Sequence, residues 1–292
     1  MFRRSPTELE ILTMNPNELE GEKLAAIEQW SADPCGPVIE AEPGTKKYFE
    51  RLVEGRHEYG SWMQEELGYA QTGGLNVLDV GCGQGIDLYQ YAAAGARATG
   101  IDLTPRHAEL AKAHLAVMGL EATVVNGDAE HLPFEDASFD RVSSNGVLHH
   151  TPDMPAALAE IRRVLRPTGE ARIIVYNKSS LHYWFNQFLG HGLIQGRLIK
   201  ERSMANILSS GVERTSIGAR PLVNVYRPKE VGAMLRQAGF IDVRIHTRHF
   251  RATDAFPYSI ASKGMSKLRD PRVLDSVGRK AGWYVIGRAI RP

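Results

Sequence analysis

Only two cysteines, Cys35 and Cys82, occur in this 292-residue chain, too few for a disulfide framework and suited to a reducing compartment. No run of 18 apolar residues exists anywhere, so a membrane-spanning helix is not expected. Arg3 and Arg4 near the start are not followed by the apolar stretch of an export signal, and a cytoplasmic location is the expectation. Neither charge is in surplus: 35 Lys and Arg against 34 Asp and Glu leave a formal net charge of +1, which gives a polyanion no general attraction. Arg162, Arg163 and Arg166 do cluster, but on an amphipathic helix at Met154–Leu165 they form its solvated face, so nucleic acid is not an expected partner. Internal repeats and low-complexity tracts are also lacking, and no metal site is expected. What remains is an ordinary globular composition, 43% hydrophobic and 24% charged, long enough for one elaborated domain or a domain with a small appendage.

The informative segment is residues 77–85, VLDVGCGQG, an apolar strand that breaks into a loop with Gly81, Gly83 and Gly85 at alternate positions. Glycine lets backbone approach a ligand without a Cβ in the way, and the helix that follows aims unpaired N–H groups at the loop. An adenosine-containing ligand is the first expectation. A dinucleotide site would carry G-x-G-x-x-G, but its last glycine position is occupied here by Ile86. The loop instead reads G-x-G-x-G after the acidic Asp79. A second apolar strand, Ala98–Ile101, ends in Asp102, about 20 residues beyond the first glycine, where a carboxylate accepts hydrogen bonds from ribose hydroxyls. Thr104 suits the N-cap of the next helix because Pro105 then falls at its first position, which would free Asp102 for the ligand.

Strands expected near 75–80, 97–101, 121–125, 139–144 and 170–176 alternate with helices near 85–94, 105–118 and 153–165. That alternation favours a parallel α/β sheet with helices on both faces, and it puts Gly81, Asp102, Asp128 and Asn145 at strand carboxyl ends along one edge. VLDVGCGQG, the strand-end Asp102, NGDAEHLPFEDASFD at 126–140, SNGVLHHTPD at 144–153 and EIRRVLRPTGEARIIVY at 160–176 together resemble the class I S-adenosylmethionine-dependent methyltransferases. The resemblance is to their small-molecule branch, which includes ubiquinone and menaquinone biosynthesis enzymes, and it covers roughly residues 75–176. It implies a Rossmann-like, mostly parallel seven-stranded sheet whose last strand runs antiparallel. It further implies S-adenosyl-L-methionine as cofactor and in-line transfer of a methyl group to a small-molecule acceptor, at an O, N, C or S atom that stays open. Base-amine methyltransferases carry Asn/Asp-Pro-Pro-aromatic after the fourth strand, whereas this chain has Asn145-Gly146-Val147-Leu148. A noncatalytic S-adenosylmethionine-binding module and, less favoured because of Ile86, a nicotinamide-dependent oxidoreductase are the competing readings.

By the same resemblance Gly81, Cys82, Gly83 and Gly85 approach the methionine part of the cofactor. Asp102, with Leu103 beside it, holds the ribose; Asp128 and the Ala129 backbone meet the adenine; Asn145 borders the methionine moiety. Asp79 orients the cofactor's ammonium or packs the loop. Cys82 has no companion base and reads as a small packing residue. His149 and His150 follow the fourth strand, and one of them is the candidate general base, since histidine titrates near neutral pH; a capping or packing role is the rival. The chain divides into a helical extension or lid at 1–74, the cofactor core at 75–176, an insertion at 177–226 that would cap the acceptor, and a completion of the sheet at 227–292. Helical stretches at Asn17–Trp30 and Thr45–Leu67, a turn at 31–37, a helix from Pro228 and strands Ile241–Thr247 and Trp283–Ala289 are expected in these tails. Tyr48, Phe49, Tyr59 and Trp62, with the Tyr183–Phe188 cluster, are candidates for an aromatic acceptor pocket, and Arg56 or His57 for meeting an anionic group.

Overall fold

The computed structural model describes residues 21–36, 39–211, 216–252, 254 and 269–292. Residues 17–20 of the first expected helix and Pro37 of the turn lie outside them. Seven strands form one sheet: β1 (Asn76–Val80), β2 (Arg97–Asp102), β3 (Thr123–Asn126), β4 (Phe139–Asn145), β5 (Leu165–Tyr176), β6 (Ile241–Arg248) and β7 (Tyr284–Ile290). Their order across the sheet is β3-β2-β1-β4-β5-β7-β6. β1 to β5 pair in parallel, and β7 runs antiparallel to β5 on one side and β6 on the other.

Alternation within the strands sends successive side chains to opposite faces. Leu78 and Val80 face one layer with α6 (Met154–Val164) and α9 (Pro228–Gln237), whereas Val77 faces the other with α4 (Ile86–Ala93) and α5 (Pro105–Val117). In α6, Met154, Ala157, Leu158, Ile161 and Val164 repeat at helical spacing and are all buried. The helix is started by Asp153, whose carboxylate accepts from Ala156 N–H at 2.9 Å. β5 begins at Leu165, directly after α6, earlier than the expected position 170; Phe139 pairs with Leu165, and the register shifts before Arg141 meets Glu170. Thr168, held at φ 65°, accompanies this irregularity, which periodicity does not signal.

The N-terminal part supplies α1 (Gly21–Ala32), α2 (Lys46–Gly60) and α3 (Trp62–Leu67). The expected single helix at 45–67 is thus two, broken at Ser61. Glu66 anchors α3 to the last strands: it is buried and bonded by Arg248 Nε and Arg288 Nη2, each at 2.7 Å, and by His246 Nε2 at 2.9 Å. The insertion after β5 contains a π-helical segment, His182–Ile194, then α7 (Arg197–Glu201) and α8 (Met204–Ser209), and α10 (Pro271–Ala281) precedes β7. Among the described residues no helix is long and apolar enough to cross a membrane.

Candidate functional site

The strand order reverses between β1 and β4, and a parallel sheet opens a crevice at the carboxyl ends of the strands flanking such a point. A cavity of about 450 Å³ lies there. Its walls include Gly81, Cys82 and Gly83 after β1, Asp102 and Leu103 after β2, Asp128 and Ala129 after β3, and Asn145 after β4. Four chain segments chosen from sequence therefore meet in one space.

The glycine loop needs its glycines for a geometric reason. At Gly81, with φ +75°, a Cβ would stand 2.2, 2.4 and 2.7 Å from the Val147 side-chain carbons. At Gly83, φ +53°, it would reach Cys35 Sγ at 2.9 Å. Gly85 serves packing, since its absent Cβ lets Ala111 of α5 approach; it is not on the cavity wall. Cys82 is buried, with its sulfur beside Gly100, and burial raises its thiol pKa.

Asp102 is not left unengaged, contrary to the expectation drawn from Thr104. Thr104 does occupy the N-cap of α5 but makes no side-chain cap bond. Its N–H instead donates to Asp102 Oδ1 at 2.9 Å, while Gly83 N–H donates to Oδ2 at 2.8 Å and His107 Nδ1 to Oδ1 at 3.2 Å. Burial alone would raise the Asp102 pKa, but these bonds outweigh it and hold the carboxyl below its ordinary value. The carboxylate thus fastens the glycine loop and faces the cavity at once. Asp79 lies beneath the loop, away from the cavity wall, and among the described residues accepts only from Ser143 Oγ, at 3.2 Å. Burial first, then the neighbouring Asp87, pushes its pKa well up.

His149 and His150 differ in their access to the cavity although their rings touch, centroids 4.2 Å apart. They share one short 3₁₀ turn, Leu148–His150, which turns one ring inward and the other to the cavity. His149 is fully buried against Tyr176, ring centroids 3.8 Å apart, with neither nitrogen hydrogen-bonded among the described residues. Burial, then His150, lowers its pKa well below the ordinary histidine value, so the ring is neutral and away from the cavity. His150 lines the cavity, and its Nδ1 donates to Leu222 carbonyl at 2.7 Å, which leaves the neutral ring's acceptor lone pair on Nε2.

The wall residues not picked out from sequence include Lys23, Ala26, Trp30, Asp87 and Tyr284. Lys23, Ala26 and Trp30 occupy one face of α1 and all line the cavity, with Lys23 Nζ 2.8 Å from Asp128 Oδ2 and 2.5 Å from Glu130 Oε2. Asp87, in the first turn of α4, receives Tyr69 OH at 2.7 Å and Asn145 Nδ2 at 2.9 Å. Tyr284 shares a 2.8 Å hydrogen bond with Tyr59. Asp87 carried a faint signal as an acid at a helix start; the other contacts join segments over a hundred residues apart. Of the aromatic pocket candidates only Tyr59 reaches the wall. Tyr48 instead bonds Gln84 at 2.6 Å, Phe49 stacks on His114, Trp62 packs near His249, and Tyr183 is buried in the core. Trp184 and Phe185 are exposed.

Residues 78–173 match the methyltransferase domain family. Over 61% of its length the chain is 31% identical to the ubiquinone biosynthesis O-methyltransferase of Aromatoleum aromaticum, spanning 68% of that relative. The chain belongs to the class I S-adenosylmethionine-dependent methyltransferases. This methyltransferase is also 35% identical to the phthiotriol/phenolphthiotriol dimycocerosates methyltransferase of Mycobacterium leprae over 59% of its own length and 62% of the relative's. Its fold matches that of a chain from the complex between the Haloferax volcanii Trm112 methyltransferase activator and a putative methyltransferase, with a TM-score of 0.56 at 19% identity, covering 94% of this chain and 99% of that one. The S-adenosylmethionine-dependent methyltransferase from Mesorhizobium loti matches with a TM-score of 0.53 at 17% identity, over 82% and 100% of the two chains. The cofactor of this methyltransferase is S-adenosylmethionine.

Proposed function

We propose that this methyltransferase transfers the cofactor's methyl group to a small, moderately apolar molecule in the cytoplasm, and that the cavity above β1 and β4 holds the donor. The observation that carries the reading is the convergence of the bare-backbone loop at Gly81 and Gly83 with Asp102, Asp128 and Asn145 on one wall. The residues suit the group. Gly81 and Gly83 lie on the cavity wall with no side chain of their own, Asp102 retains lone pairs for ribose hydroxyls, and Asp128 with the Ala129 backbone offers a polar edge to adenine. Leu103 and Cys82 complete that wall.

The bound cofactor supplies an electrophilic methyl on a sulfonium. The chain orients, encloses and moves a proton. Holding donor and acceptor at attack distance while excluding water contributes up to about 7–11 kcal/mol for well-oriented pairs. Three residues of α1 and three of α2, Gly55, Arg56 and Tyr59, wall the space, so the extension at 1–74 acts as its lid. For an acceptor that must lose a proton, His150 Nε2 is the base, with Leu222 carbonyl fixing the tautomer, a step worth roughly 10²–10⁴-fold. The insertion at 177–226 serves this base: Leu222 holds the His150 ring, and Asn224 N–H donates to His149 carbonyl at 2.8 Å. The core at 75–176 grips the nucleoside, and residues 227–292 complete the sheet. The comparatively apolar walls and balanced charge favour a small acceptor over a polymer.

Calorimetry with S-adenosylhomocysteine, followed by a metabolite-extract assay with a labelled methyl donor, tests the reading. Micromolar binding and a labelled small product are expected. No binding, or label appearing only in nucleic acid, would overturn it.

A further inference from the structure

The π-helical segment His182–Ile194 presents the wrong chemistry to solvent. Hydrogen bonds that close five residues apart wind roughly 4.4 residues per turn, so positions four and five apart stack along one face. Tyr183, Gln187 and Gly192 follow that spacing and are buried against the body of the protein. The two neighbouring rows read Trp184, Phe188, Leu193 and Phe185, Leu189, Ile194, six apolar side chains without a charge among them. A helix packed on one side normally turns polar groups to water on the other. Here Trp184, Leu193 and Ile194 instead keep 46%, 52% and 63% of their surface exposed. Ile199 on α7 is 86% exposed, and α7 is joined to the π-helical segment through Leu198, whose side chain sits over Gly192. Of the ten large apolar side chains exposed among the described residues, five fall between 184 and 199, so the exposure is concentrated in one patch.

We propose that this patch docks on the surface of an anionic lipid bilayer, its apolar side chains at the headgroup boundary and its cations among the lipid phosphates. Charge selects lipid over other coverings. From Lys178 to Gly211 the only acid is Glu201, whose carboxylate is buried and bonded to Arg220 Nη1 at 2.8 Å. Lys200 and Arg202, next to Ile199 in the chain, are exposed. The whole chain carries a net charge of +1, so the excess of cation belongs to this segment. Tryptophan and aliphatic side chains edged by Lys and Arg are what a lipid interface takes up, without any helix crossing it. A second copy of the chain fits poorly, because a two-fold contact sets the patch against itself and brings like cations together. Lipid docking goes beyond methyl transfer and is independent of it, although the same insertion fixes His150 through Leu222.

Vesicle flotation of the full-length chain tests the surface. Binding to mixed phosphatidylglycerol and phosphatidylcholine vesicles is expected, weakening as salt rises, with little binding to phosphatidylcholine alone. Ile194→Gln combined with Ile199→Gln should weaken it about tenfold or more, since two aliphatic side chains lose their place in the bilayer. Lys200→Gln combined with Arg202→Asn should weaken it about ten- to thirtyfold and flatten the salt dependence. Asn suits the left-handed backbone of Arg202, φ 60°. All four side chains lie off the cavity wall, so both double variants should melt and bind S-adenosylhomocysteine as the parent does. A folded parent that fails to float with anionic vesicles, or floats equally with neutral ones, would overturn the docking. So would sedimentation showing a dimer that the isoleucine variant dissolves, which would make the patch a contact between copies.

Discussion

Gly81→Ala is the most exacting test of the loop geometry because the structure separates its cost into two parts. The backbone part arises because an L-residue at φ +75° sits in the left-handed region, a penalty of about 1–2 kcal/mol. The steric part comes from Val147, whose carbons at 2.2, 2.4 and 2.7 Å lie far inside ordinary contact, and overpacking of this kind costs roughly 1–3 kcal/mol. Together they predict a loss of about 2–5 kcal/mol, which in a chain of this size lowers Tm by about 3–8 °C. Gly119 is the internal control: its φ is +71° and a Cβ there meets nothing within 4 Å, so Gly119→Ala shows the backbone part alone. Val147→Ala in the Gly81→Ala background removes the two nearest methyls and leaves only the 2.7 Å contact, so it should restore a good share of the steric part. Calorimetric melts of the four proteins, with S-adenosylhomocysteine titrations alongside, give the comparison. If Gly81→Ala melts no lower than Gly119→Ala and binds as the parent does, the reasoning about this loop is wrong.

The pH dependence of stability should carry the signature of Glu66. Burial would raise its pKa, but the bonds from His246, Arg248 and Arg288 prevail and bring it from 4.5 to about 2. A depressed carboxylate stabilises above its unfolded pKa, so about 3 kcal/mol present at neutral pH should vanish as pH falls from 4.5 to about 2. Urea titrations should show Glu66→Gln less stable at pH 7, with the difference shrinking across that window. His150→Ala should lower kcat toward a proton-losing acceptor by roughly 10²–10⁴-fold, whereas His149→Phe should leave it near the parent value; identical effects from both would defeat the assignment of the base. Asp102→Ala should weaken S-adenosylhomocysteine by about 1.5–3 kcal/mol per lost hydrogen bond and also lower Tm, because Gly83 and Thr104 lose their acceptor; unchanged affinity in calorimetry would remove Asp102 from the site.

The parts of the molecule legible in sequence are those encoded within one strand–turn–helix unit. Loop glycines, the acid at the end of β2 and the alternation of apolar runs each declare themselves over about ten residues, and five parallel strands followed from them. The sheet edge then collected Gly81, Asp102, Asp128 and Asn145 without any further information. What sequence concealed was direction. Helical spacing groups Tyr48, Phe49 and Tyr59 but does not tell which of them turns toward α5 and which toward the cavity, and adjacency hides that of the two touching rings of His149 and His150 only the second reaches the cavity. Long-range pairings are hidden too: Lys23 meets Asp128, and Arg56 stands near Asp87, only once the extension has folded across the sheet.

The short first helix, with Lys23, Ala26 and Trp30 along one side, makes the reaction chamber a joint product of two stretches of chain under different demands. The part that grips the nucleoside must stay fixed for any member using the same donor. The part laid over it contributes nine of the 32 wall residues, and no strand of the sheet depends on it for pairing. Substitutions there can retune which molecule is admitted while leaving the donor's berth intact, so new acceptors are reachable by exchanging the roof and keeping the floor.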